Sequence, residues 1–236
     1  MEIEGTTDPG LFAPVVNAWK VTSLGTGRLP EPLQPTWDQL INGSLDAQYV
    51  EIQGIITSVN TNDVTLLTRD GRIRLELRLT GLPDTALEQY EDALVRVRGC
   101  LFASWDYVTH EVKMGDVRIY GAHISVDQPP PVNLFAIPKK TVAELLLFDP
   151  QAGVFQRVRV SGQIVHVRGS EYYLMDGHNG LRFIAKKPLK LEAGDLVDVV
   201  GFPELNGASP VLREAVARKT GHAPLPPADI LARDHL

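Results

Sequence analysis

RLPEPLQPTWDQL at residues 28–40 and YVEIQG at residues 49–54 form the pattern on which the chain is built. They comprise a proline-rich connector, a short apolar turn led by Thr36, and an alternating strand that ends in Gly54. The layout returns as PPP at 129–131, TVAEL at 141–145 and RVRVSG at 157–162, and PLPPADIL at 224–231 begins it again. The interval of about a hundred residues is far longer than a solenoid repeat, so we interpret these segments as seams between tandem β-modules.

The composition is that of a globular protein. With 236 residues, 44% of them hydrophobic and 22% charged, the chain can form two ordinary domains. The net charge of −6 argues against a dedicated nucleic-acid binder, because phosphate neutralisation supplies most non-specific affinity. We find no apolar run of about 18 residues and no signal peptide. Cys100 is the single cysteine, which excludes an internal disulfide, and its apolar neighbours indicate a small buried residue.

The seams divide the chain into four predicted parts. Residues 1–31 are trailing strands of a preceding module, 32–132 a first module, 133–223 a second module, and 224–236 the start of a further module or a tail. At an offset of 196 positions the first part aligns without a gap on the end of the second module, with Gly5 on Gly201 and Pro14 on Pro210. Both ends therefore look cut from a longer array, and residues 1–27 should add to an exposed strand edge in the chain or in a neighbour. The alternative is a short natural chain whose N-terminal strands pair with the folded modules.

Each complete module shows five short alternating segments, which predict strands. In the first module they lie at 49–59, 64–68, 72–79, 94–103 and 117–126, with a helix at 82–90 and a two-residue Asp70-Gly71 turn. In the second they lie at 157–168, 172–175, 181–185, 196–201 and 210–216, with a glycine-flanked turn at 176–180. We therefore predict an all-β protein made of two tandem OB-fold-like five-stranded Greek-key barrels, with the N-terminal strands belonging to a truncated further module. A β-sandwich is the alternative.

Two segments of the second module resemble a known family. YYLMDGHNGL at residues 172–181 is similar to the LYLQDGTGGL hairpin of tandem OB-like modules in bacterial signalling proteins, and AGDLVDVVGFP at 193–203 resembles the strand that follows it there. In that family the modules form the extracytoplasmic part of membrane-anchored sensor histidine kinases and related regulators. The resemblance implies a periplasmic sensing or protein-interaction role, but this chain contains no kinase, cyclase or transmembrane segment to accompany it.

Motifs of catalysis and metal binding are absent from the sequence. It contains no phosphate-binding glycine loop, nucleophile elbow, HExxH or CxxC, so we predict a protein that is not an enzyme and needs no cofactor. Asp176 and His178 resemble an acid/base pair, but they lie in a turn where Asp satisfies backbone donors. His110 and His123 do not have metal-ligand spacing, so no metal site is predicted.

The binding candidates lie where OB-folds usually bind ligands, on strands two and three and the neighbouring loops. In the second module, Tyr172 or Tyr173 with Arg182 would place an aromatic ring beside a cation, as single-strand platforms do. In the first, Arg72, Arg74 and Arg78 share one strand face, although Glu76 interrupts them and a solvated face is the plainer interpretation.

Trp105 and Tyr107 lie in a loop that can line the mouth of an OB barrel. They suit contact with a protein or small ligand, and a loop-anchoring Trp is the alternative.

Two functional hypotheses follow. The first is a non-catalytic extracytoplasmic sensing or protein-interaction region, tethered to a membrane protein in its full-length context, with an unknown ligand or protein partner and strand-mediated self-association. The second is an oligonucleotide- or oligosaccharide-binding OB-fold protein, in which Tyr173→Ala with Arg182→Ala abolishes salt-sensitive binding. We rank nucleic acid below a protein or small-molecule partner because of the negative charge.

Overall fold

The structure is a computed structural model that describes residues 1–10, 14–79, 84–145, 155–204 and 210–227. It divides into two compact units, Met1–Pro131 and Val132–Leu236, and each is considered by itself. The predicted start of a further module falls largely on residues 228–236, which lie outside the described residues.

The first unit contains a two-stranded sheet and a closed five-stranded barrel. The sheet consists of β1 (Glu2–Asp8) and β2 (Val15–Thr22), and helix α1 (Trp37–Ile41) follows it. The barrel strands are β3 (Tyr49–Asn60), β4 (Asp63–Leu67), β5 (Arg72–Leu79), β6 (Leu94–Trp105) and β7 (Val112–Gln128). They close in the order β3-β4-β5-β7-β6, in which only the β5–β7 pairing is parallel.

The second unit repeats this barrel. A 3-10 helix (Leu134–Ala136) and helix α2 (Val142–Leu145) precede its five strands. These are β8 (Val158–Arg168), β9 (Glu171–Asp176), β10 (Asn179–Ala185), β11 (Asp195–Glu204) and β12 (Val211–His222), closed in the order β8-β9-β10-β12-β11. Numbered within each barrel, both orders read 1-2-3-5-4, the arrangement of the five-stranded Greek-key OB barrel. The predicted all-β fold with two OB-like barrels is confirmed.

Alternation along the strands fills each barrel with aliphatic side chains. In β5, Ile73, Leu75 and Leu77 are buried, and Arg72, Arg74 and Arg78 alternate with them on the exposed face. The first core also contains Ile56, Leu66, Leu101 and Ile119, and the second contains Ile164, Tyr172, Leu174, Phe183 and Leu212.

The repeated seam has a common structural role in both units. Thr36 accepts a hydrogen bond from the backbone N–H of Gln39, whose side chain accepts one from Thr36 in return, so helix α1 begins with a capping box. Thr141 and Glu144 make the same reciprocal pair at α2. The proline-rich connectors then meet the first barrel strand through single parallel bridges, Leu33 with Val50 and Lys139 with Arg159.

The glycine that ends each seam lies where the first strand changes partners. Ile55, which follows Gly54, pairs with both Leu94 of β6 and Leu67 of β4. Gln163, which follows Gly162, likewise pairs with Leu196 and Met175. A Cβ at Gly54 would lie 2.6 Å from the carbonyl oxygen of Leu67, so the backbones can approach this closely only without a side chain.

The N-terminal sheet has the strand register of an OB barrel's last two strands. In β1–β2, Glu2 pairs with Thr22 and Ile3 with Val21, and the register shifts after Glu4. In β11–β12, the residues that lie 196 positions later pair in the same way, and the register shift follows Val200. The pairs are Asp198 with Arg218, Val199 with Ala217, Phe202 with Arg213 and Glu204 with Val211. The bulge and register of β1–β2 are therefore those of the last two strands of the second barrel, and the assignment of residues 1–31 to a preceding module stays a prediction.

One local prediction, the turn between β4 and β5, was wrong. The β4–β5 pairing ends at Leu67 and Arg72, so the connection is four residues long and not the two-residue Asp70-Gly71 turn. Neither turn residue has the positive φ that such a turn requires, and the Trp37 ring packs against Gly71, where a Cβ would lie 2.7 Å from it. The predicted helix at 82–90 is a 3-10 helix over Asp84–Tyr90 in the part of it that the structure describes.

Gly162→Ala should destabilise the second barrel by about 1–3 kcal/mol, because the new methyl group would overlap backbone that cannot move independently. Its Cβ would lie 2.4 Å from the carbonyl oxygen of Met175. Urea unfolding followed by circular dichroism measures the change. Gly180→Ala is the matched control, since the nearest atom to its Cβ is the Met175 sulfur at 3.7 Å, and it should change stability by less than about 0.5 kcal/mol. Equal effects of the two substitutions would contradict this role for Gly162.

Candidate functional site

A row of three side chains crosses the outer face of the first three strands in the second barrel. Cross-strand pairing places Tyr173 of β9 between His166 of β8 and Arg182 of β10. The His166 and Tyr173 rings are tilted, with their centroids 5.5 Å apart. The row therefore presents an imidazole, a phenol and a guanidinium side by side on the face where OB-folds bind ligands.

Glu171 sets the electrostatics of this row. The Tyr173 hydroxyl donates to its carboxylate at 3.2 Å, and a guanidinium nitrogen of Arg182 lies 3.8 Å from its other oxygen. The second separation exceeds a hydrogen bond, and the Arg182 side chain is 39% exposed. Arg182 is thus weakly held and accessible to an anion.

The sequence left Tyr172 and Tyr173 as alternatives, and the structure separates them. Tyr172 is buried, stacks on Phe183 with ring centroids 5.0 Å apart, and cannot belong to a surface platform. Its hydroxyl donates to the carbonyl of Leu189 at 2.8 Å and accepts from the Leu189 N–H at 3.0 Å. The prediction of Tyr172 as a binding residue was wrong, because its position in the strand places the ring in the barrel interior.

The first unit does bring its predicted arginines to one face, where neighbouring carboxylates pair with them. Arg72, Arg74 and Arg78 alternate with buried residues along β5. Arg74 pairs with Asp63 and Arg78 with Glu76, and the hydrogen bond to Asp63 is the main cause that raises the pKa of Arg74. Glu76 also contacts Arg118 at 3.1 Å. These ion pairs favour the solvated-face interpretation.

Trp105 and Tyr107 lie together at the loop between β6 and β7. Their rings meet edge to face with centroids 6.1 Å apart. The Asp106 carboxylate shapes the loop by accepting from the N–H groups of Val108 and Thr109, and the Thr109 bond is the main cause that lowers its pKa. Tyr107 is 70% exposed and Val108 is 89% exposed.

A charged cluster that sequence analysis missed joins the ends of β11 and β12. Asp195 and His222 are cross-strand partners, and the Asp195 carboxylate is bound by Lys219, His222 and the Glu192 N–H. Glu192, Asp195 and His222 offer three ligand atoms within 4.8 Å of one another. Because the ammonium of Lys219 already lies on the same carboxylate oxygen as His222, the cluster is suited to tying the strands together. The cluster could have been found only from the pairing register of β11 and β12 and its bulge.

The Asp176–His178 turn also has a structural role. Asp176 accepts a hydrogen bond from the N–H of Val142 at 3.0 Å, at the start of α2. His110 and His123, by contrast, are not part of the metal-ligand grouping found among the described residues. None of the described helices combines the length and apolar character needed to cross a membrane.

Tyr172→Phe should lower the free energy of unfolding by about 1–2 kcal/mol, because it leaves a donor and an acceptor of Leu189 without their partner. Urea titration is the measurement. Tyr173→Phe is the matched control and should cost less than about 0.5 kcal/mol, since its hydroxyl bonds to a partly solvated carboxylate. A larger loss for Tyr173→Phe would contradict the assignment of the two rings.

The Asp195 ion pairs should stabilise the second barrel only above strongly acidic pH. Its hydrogen bonds to Lys219 and His222 lower the pKa of Asp195 to about 2, whereas an unfolded Asp titrates near 3.9. The stabilisation is therefore complete above about pH 4 and is lost as the pH falls towards 2. The difference in melting temperature between the natural protein and Asp195→Asn should shrink over this interval. A difference that is constant from pH 7 to 2 would contradict the assignment.

Comparison with known proteins gives structural similarity alone. No protein-family model matches the chain, and no curated sequence matches it. Among solved structures, a murine DNA-binding protein bound to double-stranded DNA is 11% identical, with a TM-score of 0.28 over 76% of this chain and 99% of that one. A HINa domain in complex with double-stranded DNA is 14% identical, with a TM-score of 0.29 over 74% and 97%. Aspartyl-tRNA synthetase from Entamoeba histolytica is 10% identical, with a TM-score of 0.32 over 82% and 58%. The OB fold of this chain rests on its own strand order and registers.

Proposed function

We propose that this protein is a non-catalytic binding protein that holds a single-stranded oligonucleotide across the outer face of β8, β9 and β10. The observation that carries the proposal is the row of His166, Tyr173 and Arg182. Every base has a π-face, so an aromatic pair on a barrel wall can stack bases with little regard to sequence.

The parts of the row have different tasks. Stacking on Tyr173 and His166 supplies most of the affinity, at about 1–3 kcal/mol for each stacked base. Arg182 meets a phosphate, which requires it to leave Glu171 at 3.8 Å for a closer and better-aligned anion. Lys187 and Lys190 in the following loop are exposed and add positive charge nearby.

The overall charge of −6 limits how this binding works. Long-range attraction to phosphates is weak, so few phosphate contacts form and few counterions are released. For one or two contacts the slope of log K against log salt should be about −0.7 to −1.4, much shallower than for a basic nucleic-acid binder.

The sensing hypothesis remains the second candidate, and one observation favours it. Tyr107 and Val108 project from the loop between β6 and β7 with 70% and 89% of their surface exposed. An exposed aromatic and an aliphatic side chain in a fixed loop suit a protein partner. The extracytoplasmic location and the bacterial signalling context stay predictions from the resemblance.

Fluorescence anisotropy with labelled single-stranded DNA and RNA of about 16 nucleotides, the upper end of the site size of one OB-fold, tests the proposal. We expect binding to the natural protein at low salt. Tyr173→Ala should weaken it about 10-fold or more through lost stacking. Arg182→Ala should reduce the salt slope by about 0.7 through the loss of one phosphate contact.

Arg74→Ala is the control for loss of a guanidinium, because Arg74 is already paired with Asp63 in the other unit. Tyr107→Ala is the control for loss of an exposed aromatic ring. Both should bind as the natural protein does. Absence of binding at low salt, or equal weakening by Tyr107→Ala and Tyr173→Ala, would overturn the proposal. Competition by neutral oligosaccharides, with no response to nucleic acid, would assign the same face to a sugar ligand.

A further inference from the structure

The hairpin β1–β2 has the register of an OB barrel's last two strands, and no other strand among the described residues pairs with it. Its register matches β11–β12 at an offset of 196 residues, so each hairpin residue has an equivalent in the second barrel. Three apolar residues of the hairpin fall on buried core residues of that barrel, and a fourth falls on a partly buried residue that packs against the core. Ile3, Val16, Trp19 and Val21 correspond to Val199, Leu212, Ala215 and Ala217.

Burial differs sharply between the two sets. Val199 and Leu212 are 0% exposed and Ala215 is 1% exposed, because β8, β9 and β10 close the second barrel over them. Their hairpin equivalents are between 51% and 68% exposed. Contiguous apolar side chains of this kind on a soluble protein mark an interaction surface.

Charge is confined to the other face of the hairpin. Glu4 and Lys20 are cross-strand partners and form an ion pair, and they alternate with Ile3 and Val21 along the two strands. The apolar face therefore contains no charged side chain. Two copies of the protein, each with a net charge of −6, can bring these faces together without burying a charge.

The size of Trp19 limits what can pack on the apolar face of the hairpin. It stands where the second barrel has Ala215, so its indole is much larger than the methyl group that faces the second core at the equivalent position. Whatever covers this face has to leave room for the ring. A thinner cover, such as a second two-stranded hairpin, leaves room for it.

The described part of the chain offers one sheet of that kind. Both five-stranded sheets are closed barrels, which have no free edges, and β1–β2 is the sheet that is left open. An open sheet with an uncharged apolar face and free edges can pack against a second sheet of the same kind. We propose that two copies of this chain associate through the β1–β2 faces formed by Ile3, Val16, Trp19 and Val21.

Sedimentation velocity and light scattering from about 1 to about 200 µM test this association, since a dimer gains population with concentration. The natural protein should rise from a mass of 25.9 kDa towards twice that value. Trp19→Lys should stay at the monomer mass throughout, because it places two like charges in the contact. Deletion of residues 1–27 should do the same while retaining the circular dichroism of the barrels.

Asn17→Lys is the matched control, because it adds the same charge to the same strand on the face that carries Glu4 and Lys20. It should dimerise like the natural protein. A natural protein that is monomeric at every concentration would overturn the proposal, as would dimerisation of Trp19→Lys equal to that of Asn17→Lys. A dimer that survives deletion of residues 1–27 would place the contact elsewhere and would also overturn it.

Discussion

Each barrel depends on one strand that must pair with two neighbours lying in different directions. The first half of β3 pairs with β6 and its second half with β4, and β8 divides its length between β11 and β9 in the same way. The first strand of each barrel can turn from one partner to the other only where its backbone approaches the next strand closely. These positions are Gly54 and Gly162. The glycine at the end of each seam is therefore what allows five strands to close, and closure in turn buries both aliphatic cores and removes the sheet edges.

The bulge in the last two strands of the second barrel also occurs in the β1–β2 hairpin, which forms a separate two-stranded sheet. The register shift beside Gly5 in β1–β2 recurs beside Gly201 in β11–β12, and a Cβ at either glycine would lie against the opposing carbonyl, that of Asn17 or of Arg213. The register shift of the hairpin depends on its own glycine and its own cross-strand pairs. The apolar face of the hairpin is exposed, which leaves that face available to another chain.

The sequence predicted the fold well because the determinants of the fold are periodic and local. Alternation located all ten barrel strands to within a few residues at most ends, whereas the short turns led by Thr36 and Thr141 proved to be capped helices. The failures came from contacts distant in sequence. Asp70-Gly71 is not a two-residue turn because Trp37, thirty-four positions before Gly71, packs on it.

At the site, Tyr173 and Arg182 were predicted, but the choice between the two tyrosines depends on register. His166 joins them only because the β8–β9 pairing shifts after Ile164.

The distribution of charge then determines which of the OB surfaces is free to bind. Buried carboxylates hold several arginines in place: Glu51 contacts Arg96 and Arg98, and Asp198 contacts Arg159 and Arg218. Removing such an arginine leaves a buried charge unpaired, so these residues are committed to stability. Arg74 and Arg78 of β5 are paired at the surface, where an anion would have to displace a close carboxylate. Arg182 differs, since among the described residues its nearest carboxylate, that of Glu171, is 3.8 Å away and an aromatic ring lies beside it. A ligand anion gains most where the existing ion pair is weakest, which favours the second barrel over the first even though the first has more arginines on its strand.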